Sequence, residues 1–508
     1  MMRRGIRMSM KPVHRKLAWS ARCQSAYAGL MIAQRLTARR LLQLLGEWRG
    51  AGHSYLELAD SIELLARDGA VAPGTALPAE RGLAEALGVS RTTVTAAYQR
   101  LRERAVAVSR QGSGTVLRAP RPFNASSTGG QGEEVFDLTQ ATPQAWSGMA
   151  ALGQRAFAER PDAFALPGYD TIGDPVLRQA IAERYTRRGL STTPEQIMVT
   201  LGAQHAIFLV ARTLLSRGDR ALIESPSYPH ARAALASTGA LIAELPVEVT
   251  TRDRAGALEI ASRVGPRLAY LIPDHQNPTG TSMPSALRPA LISTLAAQGS
   301  HMLVDETTAE LTLGNVRTVL PFAAAAEHAY QQDAIITVGS LGKTVWGGLR
   351  IGWIRAAPEL IDRFETERRV GDLGTGVWEQ VLATYALERY DEILQDRCQE
   401  LTRKHRLLID ELATQLPEWR PSLVEGGACA WVDLGAQRST ALAREAAVRG
   451  VRLTPGPRFG SPGVFERFLR VPFTLPLADI SDVVGRLADA WRVRGSASTM
   501  PVREDSLL

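Results

Sequence analysis

Cysteine is scarce in this 508-residue chain, and Cys23, Cys398 and Cys429 lie far apart. So few, in odd number, exclude a disulfide framework, and no two have metal-ligand spacing. No metal is expected, and a reducing, cytoplasmic setting is. Long apolar runs are missing too, so no membrane span is expected. The opening MMRRGIRMSMKPVHRK is basic, but Arg22, Cys23 and Gln24 break the stretch after it, which makes a poor signal-peptide core. No internal repeat is visible, which excludes a solenoid or propeller.

What is present is an ordinary globular composition, 45% hydrophobic and 22% charged. The length points to two or three domains. The net charge of +7 is unevenly spread. Residues 1 to 120 hold 19 Lys and Arg against 8 Asp and Glu, a balance of +11, which leaves −4 for the rest. A basic front on a mildly acidic body suits a polyanionic partner, although a basic tail accounts for seven of those cations.

The pattern divides the chain into six parts. Residues 1–36 read as a basic disordered tail, with Met31 as an alternative start. Residues 37–118 read as three helices and a hairpin. Residues 119–135, APRPFNASSTGGQGEEV, read as a linker. Residues 136–390 alternate short β-branched or apolar runs with helical patterns, which predicts an α/β domain with a mostly parallel sheet. The runs are Ile197–Thr200, Ala221–Glu224, Leu268–Ile272, Met302–Asp305, Ile335–Val338 and Ile351–Ile354. Residues 391–492 read as a small α+β domain, and 493–508 as a disordered tail.

In the front part, Leu83, Ala84, Leu87 and Val89 fit one buried face of a short helix. Gly88 is the turn, where a positive φ redirects the chain. Ser90 caps a second helix with apolar positions Val94, Ala97, Tyr98 and Leu101. Its polar leading edge is Arg91, Thr92 and Thr93. In a helix-turn-helix that edge meets base edges and phosphates. Val106–Val108 followed by Arg110, Gly112, Gly114 and Val116 reads as a two-stranded wing. A small bundle that merely packs would lack the turn, cap, polar edge and wing in register. The segment LPAERGLAEALGVSRTTVTAAY with GSGT resembles the winged helix of GntR-family bacterial regulators. The resemblance implies operator DNA as partner, contacted by Arg81, Ser90, Arg91, Thr92, Thr93, Arg100, Gly112 and Gly114.

In the body, IITVGSLGKTVWGGLRIG delivers Ser340 and Lys343 at a strand end, with Arg350 beyond. Pyridoxal phosphate needs a lysine for its aldehyde, hydroxyl and guanidinium groups for its phosphate, and an anion beside its ring nitrogen. Ser340 and Arg350 suit the phosphate. TLGAQHA is strand, tight turn and helix start, where the amides of Ala203 and Gln204 can hold a phosphate. HQNPTG puts Asn277, LVDETTAEL puts Asp305, and ESPSYP puts Tyr228 at further strand ends. Ligands of open α/β sheets bind at such ends. Asn277 and Asp305 taken singly could be turn and capping residues; it is the order of all five features that argues for a site.

Residues 137 to 490 resemble fold-type I aminotransferases, and the whole chain resembles the MocR subfamily of GntR regulators. The resemblance implies a homodimer in which Lys343 joins the cofactor and is the catalytic residue. By it, Asp305 pairs with the ring nitrogen, Asn277 bonds the ring hydroxyl and Tyr228 stacks. Ala203, Gln204, Ser340 and Arg350 hold phosphate, Tyr169 reaches the partner's phosphate, and Arg470 clamps a substrate carboxylate. One departure stands out. The family has a tyrosine two or three residues after the aspartate, whereas this chain has Thr307 and Thr308. The expected function is a DNA-binding regulator sensing a small amine, an amino acid or pyridoxal phosphate itself. The alternative is a working aminotransferase with an accessory winged helix. The linker is long enough for a winged helix to rest on the partner's body.

Overall fold

A computed structural model of the chain describes residues 35–45, 48, 54–67, 71–110, 114–118, 135–314, 316–461 and 463–493. The expected tails, apart from residues 35, 36 and 493, and the expected linker, apart from Val135, lie outside the described residues, as does Gly112.

Among the described residues the front part holds four helices where the apolar pattern suggested three: α1 (Ala38–Leu45), α2 (Ser54–Arg67), α3 (Glu80–Leu87) and α4 (Arg91–Glu103). The extra helix, α1, is eight residues long and buries only Leu41 and Leu45, so it leaves little periodicity to read. Gly88 closes α3 at φ +64°, the left-handed turn that a side chain disfavours. The Ser90 hydroxyl accepts the Thr93 N–H at 3.1 Å and starts α4. Val94, Ala97, Tyr98 and Leu101 form its buried face, and the Tyr98 hydroxyl donates to the Pro78 carbonyl at 2.8 Å. The wing pairs β1 (Ala107–Arg110) antiparallel to β2 (Gly114–Leu117).

The body opens with β3 (Phe136–Asp137) and is built on a seven-stranded sheet. Its strands are β4 (Ile197–Thr200), β5 (Arg220–Ser225), β6 (Leu241–Pro246), β7 (Leu268–Leu271), β8 (His301–Asp305), β9 (Ile335–Ser340) and β10 (Gly352–Arg355). Their order is β4-β10-β9-β8-β7-β5-β6, with β10 alone antiparallel to its neighbours. The edge strand β6 escaped the pattern because its side chains are mostly half-exposed. Six strands, β4, β5, β6, β7, β8 and β9, deliver their carboxyl ends to one edge. Helix α5 (Ala203–Leu214) follows β4 there.

The C-terminal part packs helices α6 (Tyr390–Gln415), α7 (Ser439–Val448) and α8 (Ile480–Arg492) with a three-stranded sheet of β11 (Arg420–Pro421), β12 (Cys429–Asp433) and β14 (Phe468–Pro472). The short strand β13 (Val451–Arg452) pairs in parallel with β3. The winged helix touches this part: Arg444 on α7 donates to the Glu57 carbonyl on α2 at 3.4 Å. The contact is with the body of its own chain. Among the described residues no helix is long and apolar enough to cross a membrane.

Candidate functional site

The residues singled out in the body sequence converge where the strands end. Ser340 closes β9; its hydroxyl donates to the Ile351 carbonyl at 3.1 Å and accepts the Gly342 N–H at 3.0 Å. Three residues on, Lys343 Nζ donates to the Ala141 carbonyl at 2.6 Å and lies 3.3 Å from the Thr142 hydroxyl. Burial, reinforced by the Arg470 charge, brings its pKa down from 10.5 to about 8. Asp305, at the end of β8, is buried with both oxygens engaged. The Tyr270 hydroxyl donates to Oδ2 at 2.7 Å, and the Thr307 N–H to Oδ1 at 3.0 Å, joined there by the Thr307 hydroxyl. Those donors satisfy both oxygens of a buried carboxyl group inside an apolar layer.

Tyr228 stands at the start of the helix Pro229–Ser237, where burial, with Asp305 nearby, pushes its phenol up to about 12. Ala203 and Gln204 open α5 behind Gly202, which adopts φ +87°. A Cβ at Gly202 would stand 3.2 Å from the Arg350 guanidinium, which donates to the Leu201 carbonyl at 2.7 Å. Arg350 itself sits at φ +54°, and His275 at φ +47°, so two non-glycine residues take left-handed backbone at this edge. Two buried oxygens here have no hydrogen-bond partner among the described residues, Asn277 Oδ1 and Gln204 Oε1.

Arg470 lies on β14, only 5% exposed. Its guanidinium sits 5.0 Å above the Phe459 ring and donates to the Thr139 carbonyl at 2.6 Å. Thr139, Ala141 and Thr142 belong to a strap that sequence reasoning missed. It is fixed at one end by β3 and at the other by Trp146, whose N–H donates to the Val345 carbonyl at 2.9 Å and whose indole donates to Asp396 at 2.9 Å. No residue type in the strap announced this role. Tyr270 and Glu224 were also missed. Glu224, next to last in β5, is buried, accepts the Ile272 N–H at 2.8 Å, and is raised to about 8 chiefly by burial, with Asp305 adding to it.

Tyr169 is not gathered into this set. It is 79% exposed, on a face with exposed Phe157 and Phe164, whose rings both pack on Trp378. At the position of the family tyrosine, Thr308 directs its hydroxyl to the His275 carbonyl at 3.3 Å.

On the winged helix, Arg81, Ser90, Arg91 and Thr92 are exposed at the α3–α4 corner, and Thr93 is half-buried. Arg91 lies 3.6 Å from Glu80, a solvent-facing pair worth little. Arg100, two turns further along α4, is half-buried and bonds Glu103 at 3.2 Å. Gly114 begins the second wing strand. Among the described residues no cluster of His, Cys, Asp and Glu could hold a metal.

Two families match this chain. "Aminotransferase class I and II" covers residues 149–487, and "Bacterial regulatory proteins, gntR family" covers 54–117. The chain is 30% identical to a 2-aminoadipate transaminase of Thermus thermophilus over 73% of its own length and 91% of that protein's. It is 29% identical to the HTH-type transcriptional regulator TauR of Rhodobacter capsulatus, over 83% and 93%. It is 32% identical to the probable rhizopine catabolism regulatory protein MocR of Rhizobium meliloti, over 57% and 63%. Among solved structures, the alpha-aminoadipate aminotransferase of Thermus thermophilus, in complex with N-(5'-phosphopyridoxyl)-L-leucine, superposes with a TM-score of 0.64 at 27% identity, covering 70% of this chain and 92% of that one.

Proposed function

Since the chain belongs to the MocR-like GntR regulators, a winged helix fused to a pyridoxal phosphate-dependent aminotransferase class I and II domain, we propose that its cofactor site serves to sense an amine or amino acid and to adjust operator binding. One observation carries this reading: a single strap holds both Lys343 and Arg470 through its backbone carbonyls. An amine arriving at the first and a carboxylate at the second would each compete with the strap.

The residues fit the cofactor. Asn277 Oδ1 is a buried acceptor without a partner among the described residues, which a ring hydroxyl can donate to, and the bare Gly202 lets Arg350 approach the start of α5. Lys343 would join the cofactor and Asp305 would keep a proton on its ring nitrogen. Asn277 would meet the ring hydroxyl, and Tyr228 would cover the ring. Ala203, Gln204, Ser340 and Arg350 would hold the phosphate. Pyridoxal phosphate supplies the aldehyde that takes up a primary amine and the ring that withdraws its electrons. The protein's share is binding and orientation. With a pKa of about 8, Lys343 is partly neutral near pH 7 and can act as a nucleophile. Arg470 offers a planar fork to a carboxylate. Thr307 and Thr308 supply no phenol beside the ring hydroxyl, which weakens the tuning that turnover needs and favours recognition over turnover.

The exposed face with Phe157, Phe164 and Tyr169 suits burial against a second copy, which would bring Tyr169 to the partner's phosphate site. The test is footprinting of DNA upstream of the protein's own gene, with and without pyridoxal phosphate and a panel of amines. We expect paired protected half-sites whose occupancy changes with an amine only when cofactor is bound. Protection indifferent to both cofactor and amines would overturn the sensing role.

A further inference from the structure

The turn from β4 into α5 is Leu201, Gly202 and Ala203, three residues without a polar side chain. Gly202, the N-cap of α5, offers no side-chain cap. An anion at this helix start is therefore held by backbone amides, and their aim decides how well it is held. The carbonyls of the turn are fixed by side chains: the Thr200 hydroxyl donates to the Gly202 carbonyl at 3.1 Å, and Arg350 donates to the Leu201 carbonyl at 2.7 Å. The Leu201 amide is fixed by His205. Third in α5, this histidine reaches back and accepts the Leu201 N–H on Nδ1 at 3.2 Å. A glutamate or glutamine at the same helical position often reaches back to the N-cap amide in a similar way.

The imidazole is itself anchored. Since Nδ1 accepts, the ring proton lies on Nε2, which stands 3.0 Å from Asp372 Oδ2 and donates to it. Burial, opposed by Asp372 and aided by Arg368 and Arg350, holds the ring below its ordinary 6.5, which keeps it in this neutral form. Asp372 Oδ1 accepts the Arg368 guanidinium and the Gly374 N–H, both at 2.8 Å. Arg368 ends the helix Pro358–Arg368 with its side chain buried, and donates to the carbonyls of Val199 at 2.6 Å and Thr171 at 2.8 Å. Val199 lies on β4. The bonds from Leu201 through His205, Asp372 and Arg368 thus return to the strand that carries the turn, and form a closed brace around it.

We propose that His205 is a positioning residue for the cofactor phosphate. Its Nδ1 fixes the Leu201 amide and so the aim of the Ala203 and Gln204 amides that follow, while Asp372 and Arg368 hold the imidazole against β4. The inference rests on the phosphate placement proposed above and adds to it a residue that acts through the backbone. A turn already braced in its binding shape pays little ordering cost when the anion arrives. Pyridoxal, which carries no phosphate, draws nothing from the brace.

The test is titration of the cofactor-free full chain with pyridoxal phosphate and, separately, with pyridoxal, followed by visible absorbance. The parent should bind the phosphorylated form far more tightly. His205→Phe keeps the bulk of the ring and removes both nitrogens. It should weaken pyridoxal phosphate about tenfold, the worth of one well-placed hydrogen bond, and leave pyridoxal within about twofold. His205→Ala gives the same comparison if the phenylalanine variant does not fold. His205→Asn, whose carboxamide oxygen can stand where Nδ1 does, should return pyridoxal phosphate to within about threefold of the parent. Equal losses for pyridoxal phosphate and pyridoxal would make His205 a merely structural residue and overturn the inference. An asparagine variant as weak as the phenylalanine one would overturn it too, since the Nδ1 contact would then not be what matters. A parent that binds both forms alike would overturn the phosphate placement itself, and the role of His205 with it.

Discussion

Arg470 donates to the carbonyl of Thr139 at 2.6 Å, joining β14 to a strap 331 residues earlier in the sequence. The arginine is buried, and its Nε has no partner among the described residues, so the Thr139 carbonyl is a major part of its compensation. A ligand carboxylate would be a stronger acceptor than that carbonyl. Arg470→Ala should therefore keep cofactor absorbance and basal DNA affinity but weaken effector binding at least tenfold, and DNA affinity should no longer respond to effector. A variant that answers effector as the parent does would rule out the carboxylate clamp.

Lys343 supplies a pH signature. Only the neutral amine attacks an aldehyde, and burial places its pKa near 8 rather than 10.5. The rate of pyridoxal phosphate uptake by cofactor-free protein should rise with pH and level off above about 8. The chain has four lysines, Lys11, Lys16, Lys343 and Lys404. Borohydride trapping followed by peptide mapping should find the adduct on Lys343 alone, and Lys343→Ala should abolish it.

The corner between α3 and α4 separates two effects. Ser90 caps α4, so Ser90→Ala should lower winged-helix stability by about 1 kcal/mol. Arg91 is exposed with only a weak pair, so Arg91→Ala should leave the melting temperature unchanged. Its loss from a phosphate or guanine contact should instead cost ~1–3 kcal/mol of operator affinity. Binding measured across a salt series should fall steeply, with a shallower slope for the Arg91 variant if the contact is to phosphate.

Glu224 makes a prediction of opposite sign from an ordinary carboxylate. Its folded pKa is raised to about 8, above the usual 4.5, so the folded state binds the extra proton. The stability this group contributes is fully present below pH 4.5 and is lost as pH rises toward 8. Glu224→Gln keeps an oxygen for the Ile272 N–H and removes the buried charge. The melting temperature of the variant relative to the parent should increase steadily from pH 5 to pH 8. A constant difference would place Glu224 in a better-solvated setting than the structure does.

Much of the site was readable because its residues sit at strand ends inside short motifs. Lys343, Asp305, Asn277 and Tyr228 each follow an apolar run, and five such runs deliver to one edge. Gly88 and Ser90 were legible for a similar local reason, since turn and cap chemistry act within three residues. The strap was not legible. Thr139 and Ala141 act through backbone carbonyls, which carry no residue signature, and their partners lie some 200 to 330 residues away. Tyr270 was hidden differently. It lies inside the apolar run Leu268–Leu271, where a tyrosine reads as one more core ring until its hydroxyl is seen on Asp305.

The oxygen of Asn277, without a partner among the described residues, also bears on how long the protein survives in the cell. A buried polar group without a partner costs ~1–3 kcal/mol. A domain's whole margin against unfolding is only ~5–15 kcal/mol. A cofactor that provides that partner holds the folded state by mass action, by about 2.7 kcal/mol at a hundredfold excess over its dissociation constant. Proteases draw on the unfolded fraction, so a cell short of pyridoxal phosphate would hold less of this regulator as well as a less responsive one.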